Sequence, residues 1–202
     1  MWSIIQAAGW PIWPLIFASI IALALIFERL WSLRQAVVAP VGMVDRVLAE
    51  YRQEGASQEL LQKTAAQGPL GRILAAGLAN VKAPRPVMKE AIEEVGRVVS
   101  HDLDRFLTTL GTIAAMSPLL GLFGTVVGMI EIFGSQSATA SNPIQLANGI
   151  SIALYNTAMG LIVAIPSLIF YRHFRGKVDS LIVEMEQQAI KLVDFAHGDR
   201  RA

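Results

Sequence analysis

GISIALYNTAMGLIVAIP, residues 149–166, carries no charge, yet a tyrosine, an asparagine, a threonine and two glycines interrupt its apolar run. It lies in a charge-free stretch from Ile132 to Tyr171 whose early part, GSQSATASNP, is polar, so the hydrophobic section starts near Ile144. Two further charge-free stretches run from Met1 to Phe27 and from Phe106 to Ile130. Each exceeds the ~20 residues that a helix needs to cross ~30 Å of hydrocarbon. Three transmembrane helices are therefore expected, roughly at 12–33, 107–133 and 145–171. The fold class that follows is an all-α membrane protein.

Composition agrees. Of 202 residues, 53% are hydrophobic and 16% charged, against about 25% charged in a soluble domain. The net charge of +1 gives no case for binding nucleic acid. The chain has no cysteine, which excludes disulfides, thiolate metal sites and cysteine nucleophiles. The three histidines, His101, His173 and His197, stand in no HExxH pattern or acid pair, so no enzyme is expected, no metal and no cofactor.

Charge placement sets the orientation. All 17 Lys and Arg residues fall between Arg29 and Arg105 or between Arg172 and Arg201. By the positive-inside rule the N-terminus and the 134–144 loop lie outside, and the 34–106 section and the 172–202 tail are cytoplasmic. Segment 1–33 then holds the outer N-terminus and first span. Trp2, Trp10 and Trp13 at one end of that span, and Trp31 at the other, suit membrane interfaces. The N-terminus does not read as a cleavable signal, because it lacks a basic leading region and its apolar run ends in basic residues.

The 34–106 section reads as helices. MVDRVLAEYRQE places Met43, Val44, Val47, Leu48 and Tyr51 on one face. Gly55 breaks the chain, Ser57 offers a cap for SQELLQKTAAQ, and Gly68-Pro69 opens another helix that APRP ends. From Val87 no strong breaker occurs before Pro118. A single helix over 87–133 would be ~70 Å long at 1.5 Å per residue, and the third span likewise continues past Arg172. Both are expected to extend far into the cytoplasm. Their apolar stripes need partners there, in an intramolecular bundle, in subunit packing, or in both.

Small residues recur inside the membrane at helical spacing. Gly149, Ala153, Asn156, Gly160, Ala164 and Ser167 share a stripe on the third span. Ala114, Ser117, Gly121, Thr125 and Gly128 share one on the second, flanked by Gly124 and Glu131. Such faces mark helix–helix contacts, because close packing drives association in lipid. Pro118 and Pro166 are expected kinks. A threonine in such a helix can bond its own i−4 carbonyl, but an asparagine amide cannot satisfy all its groups on one backbone. Asn156 therefore points to an interhelical partner or a hydrated seam. A proton route also needs a titratable group. Glu131 sits at the outer edge of the second span and Glu28 at the inner edge of the first, so a second polypeptide must supply any mid-membrane carrier.

LLGLFGTVVGMIEIF (119–133) and LANGISIALYNTAMGLIVAIPSLIFY (146–171) resemble the MotA/TolQ/ExbB proton-channel family. The signature covers two spans, and the order of segments matches along the whole chain. The three-span layout is similar to that of its ExbB and TolQ members. The resemblance implies a non-enzymatic motor subunit of the bacterial inner membrane. Five copies would surround the single helices of two ExbD- or TolR-like partners, each supplying a proton-binding aspartate. Work would pass to a TonB- or TolA-like periplasmic protein. Thr125 and Thr157 match the family's pore-facing threonines, with Asn156 beside them. The family commonly has glutamate where this chain has Ile152, and Tyr155 and Asn156 replace apolar or small residues. Ile152, Tyr155 and Glu131 are thus candidate modulators of the ion route. The function implied is ExbB-like energising of TonB-dependent outer-membrane transport. The alternatives are a TolQ-like, gliding or sodium-driven motor, and a passive scaffold.

Overall fold

In the computed structural model, which describes residues 9–135 and 143–198, every long element is a helix and the described residues contain no strand. Among the described residues eight helices follow in order: α1 (Ile12–Ser32), α2 (Gln35–Val38), α3 (Met43–Glu54), α4 (Gln58–Ala65), α5 (Pro69–Ala79), α6 (Arg85–Asp104), α7 (Leu107–Ser135) and α8 (Pro143–Ala196). Contacts divide the chain into two units, residues 1–28 with 106–173 and residues 29–105 with 174–202.

In the first unit the usual arrangement of large and small side chains is inverted. The residues shut inside are mostly small: Ala22, Ala114, Ser117, Ala153, Ala164 and Ser167 are all buried. The large apolar ones face outward, with Phe17 67% and Phe27 69% exposed and Leu119, Ile130, Ile162 and Ile169 also exposed. In water such a surface would form an apolar patch of the kind that drives association. In lipid it is the stable arrangement, because hydrocarbon solvates large side chains and small ones let backbones approach. Among the described residues three helices are long and apolar enough to cross a membrane, and this is an integral membrane protein.

The second unit is built as a soluble bundle is. Val44, Leu48, Leu60, Leu74, Met88 and Val99 are buried, and so are Phe174, Val178, Leu181, Met185 and Leu192 of α8. The apolar stripe of α8 after residue 173 therefore has an intramolecular partner. Ser57 caps α4, its Oγ accepting from the Leu60 amide at 3.1 Å. Gly68 takes φ +112, and a Cβ there would lie 2.8 Å from the Val37 carbonyl oxygen, so only glycine allows the entry into α5 at Pro69. Ion pairs at 2.8 Å join Arg72 to Asp102, Arg85 to Asp194 and Arg175 to Asp104. The hydrogen bond from Arg72 holds the Asp102 carboxyl below its ordinary range.

The segment read as one helix over 87–133 is two, α6 and α7, separated by a turn at Arg105–Phe106. Arg105 keeps right-handed helical dihedrals, so the interruption is small. Its cause lies elsewhere in the chain: the buried Arg29 donates from Nη1 to the Leu103 carbonyl at 2.9 Å. A side chain on that carbonyl competes with the amide that would continue the ladder.

Candidate functional site

The seam between α7 and the first half of α8 holds the polar residues singled out in the sequence. Glycines make it close. A Cβ at Gly160 would lie 2.6 Å from the Ser117 carbonyl oxygen, and one at Gly121 would lie 2.7 Å from that of Asn156. At Gly128 the nearest atom would be Ala153 Cβ at 3.2 Å, and at Gly149 it would be Ile132 Cδ1 at 2.6 Å. Backbone meets backbone at Gly121 and Gly160, whereas Gly149 receives the tip of a side chain. Ala153 and Ala164 are buried in the same stripe.

At the middle of this seam the two threonine hydroxyls meet. Thr125 Oγ1 is in hydrogen-bond contact with Thr157 Oγ1. Thr125 also donates to the Gly121 carbonyl at 3.1 Å, one turn back on its own helix, and lies 3.4 Å from the Ala153 carbonyl on the other. Thr157 reaches the same Gly121 carbonyl at 3.3 Å. Two hydroxyls and two carbonyls thus form a four-oxygen cluster bridging the helices. Both threonines are half-buried. Thr125 also lines an open groove with Val126, Met129, Ile130, Phe133 and Gly134.

The other residues fall into distinct places. Asn156 is 2% exposed, turned into the seam against Gly124. Ile152 is half-buried, Tyr155 is 41% exposed on the outside of α8, and Glu131 is exposed on α7. The structure therefore brings Thr125, Thr157, Gly121 and Asn156 together, while Tyr155 and Glu131 are exposed. Pro118 and Pro166 lie inside α7 and α8. Each has a buried serine next to it, whose hydroxyl donates at 2.7 Å to the carbonyl four residues back, Ser117 to Ile113 and Ser167 to Val163. A proline removes one donor from the ladder, and these serines add one close by. Reading by sequence missed the packing of Ile132 on Gly149 and of Tyr171 against Gly111, where a Cβ would meet the ring at 3.0 Å. A large side chain seating on a distant glycine leaves no periodic signal.

Chemically, the cluster can hold water or a small cation by oxygen dipoles but has no side chain that changes charge. The carboxylates of this unit are Glu28 and Glu131, and among the described residues no group of acids and histidines is placed to hold a metal.

Residues 65–187 match the MotA/TolQ/ExbB proton channel family. The chain is 38% identical over 176 residues to a Synechocystis protein named ExbB-like 3, covering 85% of this chain and 83% of that one. It is 32% identical to the biopolymer transport protein exbB1 of Vibrio cholerae, over 81% of this chain and 74% of the relative. The Tol-Pal system protein TolQ of Pseudomonas aeruginosa is 28% identical, over 90% and 86% of the two chains.

Proposed function

The chain belongs to the MotA/TolQ/ExbB proton channel family, and from that premise we propose that it is an ExbB-like subunit of a proton-driven motor in the bacterial inner membrane. Five copies would surround two single-span partners of the ExbD or TolR kind, and a TonB- or TolA-like protein would carry the work outward. The N-terminus and the 134–144 loop would lie on the periplasmic side, with 34–106 and 172–202 in the cytoplasm as long helical extensions of the membrane section.

The Thr125–Thr157 cluster carries this reading. It offers oxygen ligands within the apolar section but no group to take up a proton, so the route needs an acid from another chain. An aspartate on a partner helix meets that need. The open groove beside Thr125 offers such a helix an apolar wall. Similarity to TolQ along most of the chain keeps a Tol-type system as the second reading.

The test is proton flux in proteoliposomes holding the chain with the single-span protein that co-purifies with it. Thr157→Val keeps the branch and removes the hydroxyl, so the complex should assemble while flux falls by about tenfold or more, the scale of one lost positioned polar contact. Normal assembly with wild-type flux would make the threonine purely structural. Ile152→Glu is the complementary variant, and it should shift the pH profile of the flux if Ile152 borders the route.

A further inference from the structure

Asn156 behaves unlike the threonine next to it: Thr157 is half-buried, and Asn156 is almost completely enclosed. The reason lies on the facing helix. A Cβ at Gly124 would stand 2.8 Å from Asn156 Cβ, 2.8 Å from its Cγ and 3.0 Å from its Nδ2. Real side chains do not approach so closely. One of the three atoms is Asn156's own Cβ, fixed to the backbone, so no rotamer change relieves the clash. The side chain missing at Gly124 is thus a notch that Asn156 fills. One turn earlier a Cβ at Gly121 would meet the Asn156 carbonyl oxygen at 2.7 Å and Thr157 Cα at 3.0 Å. The two glycines seat the backbone and side chain of one residue, and so fix both the height and the rotation of α8 on α7. The level they fix is the one at which the Thr125 and Thr157 hydroxyls touch.

We propose that Asn156 is a positioning residue: seated in the Gly124 notch, it holds α8 in the register that pairs Thr125 with Thr157, and it does not itself contact the ion. Its importance for transport rests on the ion-route reading of the threonine pair; the seating itself does not. If this enclosed side chain slipped out of the notch by one turn of helix, Thr157 would move ~5.4 Å away from Thr125. The fit is therefore one between a polar side chain and an absent one, and either half alone is insufficient.

A double-mutant cycle on the full-length protein in detergent tests the seating, with Gly124→Ala, Asn156→Gly and the pair compared by thermal melting. Gly124→Ala should lower the melting temperature by several degrees in the wild-type background and by less than half as much beside Asn156→Gly, where the Cβ at 156 has gone as well. Equal shifts in both backgrounds overturn the proposal. If Gly124→Ala does not fold, recovery of a folded protein by the double variant supports it and failure to recover overturns it. Register is read separately. Because the chain has no cysteine, Thr125→Cys with Thr157→Cys gives a disulfide reporter. Its oxidation should slow about tenfold when Asn156→Ala is added, since a disulfide needs close Cβ approach. In proteoliposomes Asn156→Ala should lower proton flux while leaving its pH profile unchanged. An altered pH profile with unchanged cross-linking would make Asn156 an ion-contacting group and sink the positioning role. If the wild type carries no protons, the motor reading fails, while the melting cycle and the cross-link still judge the seating.

Discussion

Thr64 is completely buried, and its hydroxyl has no hydrogen-bond partner. It lies where α4 and α5 approach closely, with a Cβ at Gly71 meeting the Thr64 carbonyl oxygen and reaching within 2.9 Å of Met43 Cε. A buried hydroxyl without a partner costs about 1–3 kcal/mol, and valine fills the same branch without it. Thr64→Val should therefore raise stability by about 1 kcal/mol, seen as a higher melting temperature of the purified protein. A lower one would mean that the hydroxyl makes an interaction across this tight turn. At the same scale Asn156 shows how far residue identity can be read. Its amide announced a need for something beyond its own backbone, and the room its side chain occupies is left by a glycine on the facing helix. No property of residue 124 alone marks it as the place where residue 156 fits.

Between elements, the glycines of α8 divide into those that seam and those that do not. Gly160 is pressed on the Ser117 carbonyl, whereas Gly176, in the same helix, has nothing within 4 Å of where a Cβ would be. Gly160→Ala should force α7 and α8 apart at a cost of about 1–3 kcal/mol, the usual range for overpacking. Gly176→Ala should instead stabilise by about 0.5–1 kcal/mol, because alanine loses less backbone freedom in a helix. Melting temperatures of the two variants should thus move in opposite directions; parallel shifts would refute the seam as described. The stripes themselves were legible at helical spacing, since small residues on one side of a membrane helix have few other uses. The turn at Arg105–Phe106 was not. It depends on Arg29, a residue 74 positions from the carbonyl it takes, and no breaker stands at the turn itself.

Over the whole molecule, the expected orientation rests on where the Lys and Arg residues stand. The absence of cysteine makes it directly testable in intact cells. A cysteine introduced at Ala138 should react with a membrane-impermeant maleimide from the periplasmic side. One introduced at Glu54, exposed at the end of α3, should react only after the inner membrane is opened. Reversed labelling would invert the orientation and place the 34–106 section outside. Assembly belongs to the same scale: native mass spectrometry of the complex should give five copies of this chain, and a stable monomer would count against the motor.

The length of its charge-free runs, the spacing of its small residues and the motifs around Thr125 and Thr157 carry the helical membrane class, the spans, the contact faces and the family. Those are local properties, set by the period of one helix and the thickness of hydrocarbon. Packing between the helices set which level of α7 meets which level of α8, that Thr125 and Thr157 share the Gly121 carbonyl, and that Asn156 is enclosed while its neighbour stays partly open. Such matching arises from two surfaces interlocking across some thirty residues of chain. Helical periodicity can name the faces that meet, but the register between them is settled by side chains fitting or failing to fit into one another.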